Sequence, residues 1–97
     1  MRLSKQEINV ICSVTKNLDF GAQIFLYGSR LDDHLKGGDI DLLIVSEKLS
    51  FSDKIQILSE IKTQIGEQKI DILIRNKENL NSDPFVKEIF SHAQQLN

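Results

Sequence analysis

The chain has 97 residues, of which 40% are hydrophobic, and its 12 basic and 14 acidic side chains give a net charge of −2. This size excludes a multidomain assembly, so we expect one domain over residues 1–97. The slightly acidic balance argues against direct nucleic-acid binding. No apolar run approaches the ~20 residues that span a bilayer, and the chain does not open with a secretory pattern. The single cysteine can form no internal disulfide. The composition therefore predicts a cytoplasmic protein without a membrane span.

Three segments show the apolar periodicity of amphipathic helices. Ser4 and Glu7 predict the start of a helix over residues 5–17. Ser52 or Asp53 should begin the second helix, and Gly66 should end it. The last helix should start at Asp83-Pro84.

Three apolar runs rich in β-branched residues predict strands over residues 24–27, 39–45 and 69–75. The nine residues between Ser29 and Asp39 are too few for a parallel crossover, so the first two strands should be antiparallel. The longer link that contains the second helix allows a right-handed crossover, so the second and third strands should be parallel. We therefore expect an α/β (α+β) fold, in which an αββαβα order forms a three-stranded mixed sheet packed with helices.

Three aspartates interrupt these apolar strands. Asp39 and Asp41 are two residues apart and should project from the same side of the sheet, and the parallel pairing should place Asp71 beside them. Such a cluster of carboxylates is unfavourable unless a cation neutralises it, because like charges raise one another's pKa. Mg²⁺ prefers oxygen ligands and leaves positions for substrate phosphate. The spacing therefore predicts a magnesium site.

A Gly28-Ser29 turn ends the first strand close to this cluster. Glycine lets the backbone approach a phosphate, and the Ser29 hydroxyl can donate a hydrogen bond to it. A helical turn that starts near Arg30 would add a positive dipole end. Arg30 has two possible roles that the sequence does not separate: it could bind phosphate or pair with Asp32 or Asp33. The turn and the acids together indicate a metal-bridged nucleoside triphosphate.

Gly28-Ser29, Asp39-Ile40-Asp41 and the later Asp71 resemble the motif of the DNA polymerase β-type nucleotidyltransferase superfamily. The short chain and its Gly-Ser-Arg sequence resemble the minimal nucleotidyltransferase (MNT) group within it. The resemblance implies that Asp39 and Asp41 hold two Mg²⁺ ions and that Asp71 completes the catalytic metal site and helps to activate the acceptor hydroxyl. It also implies that Gly28 and Ser29 hold the triphosphate. The loop before Asp39 departs from many members, because it has nine residues rather than ten and lacks their final serine.

The implied reaction transfers a nucleoside monophosphate, AMP if the donor is ATP, to a hydroxyl group with release of pyrophosphate. A domain this small cannot enclose a substrate by itself, which favours a partner macromolecule as the acceptor and a homo- or hetero-oligomer as the working form. Minimal nucleotidyltransferases are often paired with a helical HEPN-type protein, in some systems as the antitoxin of a toxin-antitoxin pair. The alternative hypothesis is a non-catalytic antitoxin or adaptor that neutralises its helical partner by binding.

Four other residues invite functional interpretations that we consider weaker than structural ones. Lys69 is interpreted as a counter-ion or a solvated lysine, and Tyr27 as a packing residue. His34 and His92 have no second ligand at a useful spacing, so both should be exposed polar residues.

Overall fold

The computed structural model describes residues 1–97 and contains helices and strands in the predicted order, with two short additions near the end of the chain. The elements are α1 (Lys5–Leu18), β1 (Gln23–Tyr27), a 3₁₀ turn (Gly28–Leu31), β2 (Ile40–Val45), α2 (Phe51–Ile65), β3 (Ile70–Arg75), α3 (Asn79–Ser82), α4 (Pro84–His92) and β4 (Gln94–Gln95). The radius of gyration is 12.7 Å. None of the helices combines the length and the hydrophobicity that a membrane crossing requires.

The strands form one mixed sheet in the order β3-β2-β1-β4. β1 and β2 are antiparallel and β2 and β3 are parallel, which confirms both predicted pairings. The predicted three-stranded sheet is wrong by one strand, because Gln94 and Gln95 pair with the outer edge of β1. The Asn97 side chain then holds this end of the chain by donating to the Ala22 carbonyl and accepting from the Ile24 amide, each at 2.9 Å. Two polar residues carry no strand periodicity, so pattern analysis could not find β4.

The helix ends agree with the predicted capping chemistry at three of four positions. Ser4 and Glu7 form the expected capping box of α1, and Asp83 caps α4 ahead of its first-turn proline. Gly66 ends α2 with φ +92°. The N-cap of α2 is Ser50 rather than Ser52 or Asp53, and the Asp53 side chain instead accepts a hydrogen bond from the Ser50 amide. The error arose because residues 50–53 hold three candidate capping residues.

The two faces of the sheet pack against different helices. α1 and α2 cover one face, where Leu42 and Ile44 are fully buried in the larger core. α4 packs on the other face through Val86, which joins Leu43 and Val45 in a smaller core. Because side chains alternate along a strand, Asp41 lies on the same face as Leu43 and Val45. This second face is well buried at the Val45 end, whereas Asp41 at the other end is only half-buried.

The larger core contains one polar atom without a hydrogen-bond partner, Oγ1 of the fully buried Thr15 on α1. An unpaired buried hydroxyl destabilises the folded state, so Thr15→Val should raise the free energy of unfolding by about 1 kcal/mol. Thermal denaturation should show this as a higher Tm. Thr63→Val is the matched control, because its hydroxyl donates to the Ser59 carbonyl at 2.9 Å on an exposed part of α2. A lower Tm for Thr15→Val would mean that the hydroxyl does have a partner.

Candidate active site

The side chains of Tyr27, Asp41 and Asp71 form a row across the open end of the second face, which we call the acidic row. In the strand register Asp41 is opposite Tyr27 on one side and opposite Asp71 on the other. Adjacent strands are ~4.8 Å apart, so the carboxylates of Asp41 and Asp71 are immediate neighbours. Asp41 is half-buried and Asp71 is exposed. The predicted placement of Asp71 beside Asp41 is therefore confirmed.

Asp39 lies just before β2 rather than within it. Its Oδ2 atom is 3.5 Å from Nζ of Lys69, which precedes β3 in the same way. The Ile40 amide donates to the Lys69 carbonyl at 3.0 Å and so holds the two chain segments together at this point. The sequence predicted a counter-ion or a solvated lysine, and Lys69 is both, since it pairs with Asp39 and is exposed to solvent.

The electrostatics of the cluster centre on Asp41. Burial raises the pKa of its carboxyl above the usual 3.8, the negative charges of Asp71 and Asp39 raise it further, and Lys69 offsets part of the effect. The pKa of the neighbouring Tyr27 hydroxyl is also raised, first by burial and then by the charges of Asp41 and Asp71. Burial and the neighbouring carboxylates therefore act in the same direction on both groups.

The donor set suits a hard divalent cation, since carboxylate oxygens are the ligands that Mg²⁺ prefers. However, no three Asp, Glu, His or Cys side chains are arranged closely enough to hold a metal ion as they stand. Asp39 instead points to Lys69. The backbone therefore places the acids as predicted, but the expected meeting of three side chains at one point is not present. Holding a cation with all three would require Asp39 to exchange Lys69 for the metal.

Unfavourable charge at Asp41 has a consequence for stability that can be measured. A raised native pKa means that the folded state binds a proton more readily than the unfolded state, so stability is lost as pH rises from 3.8 through the native pKa. Asp41→Asn should therefore raise Tm by about 2 °C at pH 7, since like charges opposite each other in a sheet cost a few tenths of a kcal/mol. The gain should disappear below pH 3.8. A Tm at pH 7 that is several degrees lower in metal-free buffer would contradict the placement of Asp41.

The Gly28-Ser29 turn packs directly on the acidic row. Gly28 has φ +78°, and a Cβ atom at this position would overlap the Asp41 carboxylate. Any other residue would therefore be strained by its backbone and would also displace the acid. The half-buried Ser29 hydroxyl has no hydrogen-bond partner among the side-chain contacts of the protein, which leaves it able to donate to a ligand. The predicted proximity of the turn and the acids is confirmed.

The helical turn begins two residues before Arg30, the position near which it was predicted to start. It is a single 3₁₀ turn of four residues that starts at Gly28, not at Arg30, so its dipole is small. The Arg30 guanidinium donates to the carbonyls of Gly38 and Arg2 and to the Gln68 side chain, at 3.2, 2.9 and 3.2 Å. The suggested pairing of Arg30 with Asp32 or Asp33 is therefore wrong. Its part in phosphate binding stays a prediction.

Sequence reasoning missed two residues beside the turn. Arg2 donates three side-chain hydrogen bonds to backbone carbonyls of residues 29–37. Gly38 has φ +90°, and a Cβ atom there would overlap the Ser29 hydroxyl. The Gly37-Gly38 pair was a visible signal for a close backbone approach. No sequence signal marked Arg2, since its partners are carbonyl groups that lie about 30 residues further along the chain.

Comparison with known families agrees with this geometry. The family model described as "Polymerase beta, Nucleotidyltransferase" matches residues 6–96, a segment that contains the turn, the three aspartates and all four strands. No individual curated protein shows significant similarity to the chain. Because the match covers more than half of the sequence, the chain belongs to the polymerase beta nucleotidyltransferase family.

Proposed function

We propose that this protein transfers a nucleoside monophosphate, AMP from ATP, to a hydroxyl group of a partner macromolecule in an Mg²⁺-dependent reaction. The observation that carries the proposal is the contact of Gly28 with Asp41, which is itself in register with Asp71. A turn suited to phosphate thus lies against paired carboxylates in a chain of a nucleotidyltransferase family. Family membership supports nucleotidyl transfer, and the remaining details are part of the proposal.

Each residue of the site is assigned a role. Asp39, Asp41 and Asp71 would hold two Mg²⁺ ions, which when bound neutralise the carboxylates and the triphosphate. Gly28 would let the backbone approach the triphosphate and Ser29 would donate to it. Arg30, the third nucleotide-site residue, would shape the turn through its contact with Gly38.

The transfer is a single displacement at phosphorus and needs no covalent enzyme intermediate. The acceptor oxygen forms a bond to the α-phosphorus while the bond from that phosphorus to the pyrophosphate oxygen breaks. The Asp71 carboxylate would accept the hydroxyl proton, directly or through water, because it is the exposed member of the acidic row. Placing the reactants in line is the main contribution of the protein.

A macromolecular acceptor fits the shape of the site. The acidic row lies on an open sheet face, and no element of the chain covers Asp71. A partner could therefore supply the missing wall. The chain also exposes aromatic side chains able to contact such a partner, notably Phe51 and Phe85, which are 73% and 63% exposed. We propose a HEPN-type helical protein as the partner and a toxin-antitoxin pair of the MNT type, working in the cytoplasm, as the biological setting.

A transfer assay tests the proposal. The full chain is incubated with MgCl₂, ATP labelled at the α-phosphate and the protein encoded by the neighbouring gene, and the label on that protein is measured. ATP labelled at the γ-phosphate serves as a control, because its label leaves with pyrophosphate. The proposal requires transfer of the α label only, with loss of transfer in Asp41→Asn.

The same assay addresses the binding hypothesis. A non-catalytic antitoxin or adaptor would neutralise its helical partner without forming any labelled product, and the wild type and Asp41→Asn would be equally effective. The exposed Phe51 and Phe85 would contact the helical partner in this second candidate as well. Full neutralisation by Asp41→Asn, with no label transferred by the wild type, would replace catalysis by binding as the function.

A further inference from the structure

The guanidinium of Arg2 binds both the 3₁₀ turn and the loop that joins this turn to β2. Nε donates to the Asp32 carbonyl at 2.8 Å, Nη1 to the Gly37 carbonyl at 2.7 Å and Nη2 to the Ser29 carbonyl at 2.9 Å. Ser29 belongs to the 3₁₀ turn, Asp32 follows that turn directly, and Gly37 lies near the end of the loop. A single side chain therefore ties together a segment that has no regular secondary structure after Leu31.

Arg30, within the 3₁₀ turn, adds further hydrogen bonds to this arrangement. The Arg2 amide donates to the Arg30 carbonyl at 2.7 Å, and the Arg30 guanidinium donates back to the Arg2 carbonyl at 2.9 Å. Arg30 also holds Gly38 and reaches Gln68, whose side chain donates to Glu7 at 2.8 Å. The loop is thus connected to α1 and to the segment just before β3.

These contacts determine which polar groups of the loop remain for a ligand. The carbonyl oxygens of Ser29, Asp32 and Gly37 each accept a hydrogen bond from the Arg2 guanidinium, whose positive charge offsets their partial negative charges. Nη2 of Arg2 is 3.8 Å from the position of a Gly38 Cβ atom, beside the Ser29 hydroxyl. Nη2 also donates to the Ser29 carbonyl, so a positive charge lies beside the residue whose hydroxyl is assigned to the triphosphate in the proposed reaction.

We propose that Arg2 is a positioning residue that holds the Gly28-Ser29 turn and the Gly37-Gly38 segment in the arrangement that accepts a nucleoside triphosphate. This inference rests on the proposed function. Lysine cannot replace arginine here, because an ammonium group lacks the planar fork that reaches three carbonyls at once. The role of Arg2 is separate from the acids, which it does not contact.

The test compares Arg2→Lys with Arg75→Lys, the same exchange at an arginine that donates only to the adjacent Ile74 carbonyl. Calorimetric titration of the full chain measures the Kd for MgATP and for magnesium tripolyphosphate. Arg2→Lys should weaken both by about tenfold, since it loses two of three charge-assisted hydrogen bonds. Arg75→Lys should stay within about twofold of the wild type, a change that corresponds to less than about 0.5 kcal/mol.

A second readout separates positioning from general stability. Mn²⁺ affinity, measured without nucleotide, should be the same in Arg2→Lys and wild type because the acids are untouched. Equal MgATP affinity in the two proteins would overturn the proposal, and so would parallel losses of Mn²⁺ affinity and Tm. If the wild type binds no MgATP, the proposed function fails, and hydrogen exchange then tests only whether Arg2 orders the loop. The amides of residues 30–38 must exchange faster in Arg2→Lys than in the wild type. Unchanged exchange rates would overturn the role of Arg2.

Discussion

Asp41→Asn should reduce Mg²⁺-dependent turnover of ATP by about a thousandfold, the loss expected when a central electrostatic group of a catalytic site is removed. Asp41 occupies the middle of the row, between Tyr27 and Asp71, and the negative charges of Asp71 and Asp39 both raise its pKa. Asparagine keeps its shape and removes its charge. Pyrophosphate release in the presence of the acceptor measures the effect.

The control for this change is Glu67→Gln, which removes the charge of an exposed acid between α2 and β3. It should leave turnover unchanged. Turnover of Asp41→Asn within tenfold of the wild type would contradict a catalytic role for the acidic row. Because the same variant is expected to be slightly more stable at pH 7, a loss of activity cannot be assigned to unfolding.

Gly28→Ala should reduce turnover by about a hundredfold and lower the free energy of unfolding by about 2 kcal/mol, because a residue with φ +78° is strained and its Cβ meets the Asp41 carboxylate. The neighbouring acid must then move from its place opposite Asp71. Pyrophosphate release and thermal denaturation measure the two effects separately.

Gly66→Ala provides a matched control. Gly66 has φ +92°, and nothing lies within 4 Å of the position of an added Cβ. This variant should lose stability through backbone strain alone and keep its turnover. If Gly28→Ala also kept full turnover, the contact between the turn and Asp41 would have no catalytic importance.

Much of the fold followed from local physics. Helical periodicity and capping residues predicted α1, α2 and α4, and apolar runs predicted β1, β2 and β3, since both patterns arise from neighbours along the chain. Loop length decided the strand directions, because nine residues cannot make a parallel crossover. β4 escaped prediction, since its two glutamines are ordered by pairing with β1 and not by their own preference.

Part of the candidate site could likewise be predicted from the sequence. Asp39, Asp41, Asp71 and the Gly28-Ser29 turn could be identified from the sequence, because charged residues in apolar strands and a glycine before a loop conflict with the local pattern. Their spacing along each strand and the parallel pairing were enough to bring the backbones together. The sequence alone therefore determined the residue types of the candidate site and the end of the sheet where they lie.

Side-chain contacts between distant segments were decided only by the tertiary structure. The ion pair of Asp39 with Lys69, the fit of Gly28 against Asp41 and the hold of Arg2 on the loop all join residues with no periodic relation in sequence. Such contacts depend on the direction of individual bonds and on which acceptors remain free after the sheet has formed. Periodicity and loop length carry no information about either, and for this reason only the folded chain revealed Arg2.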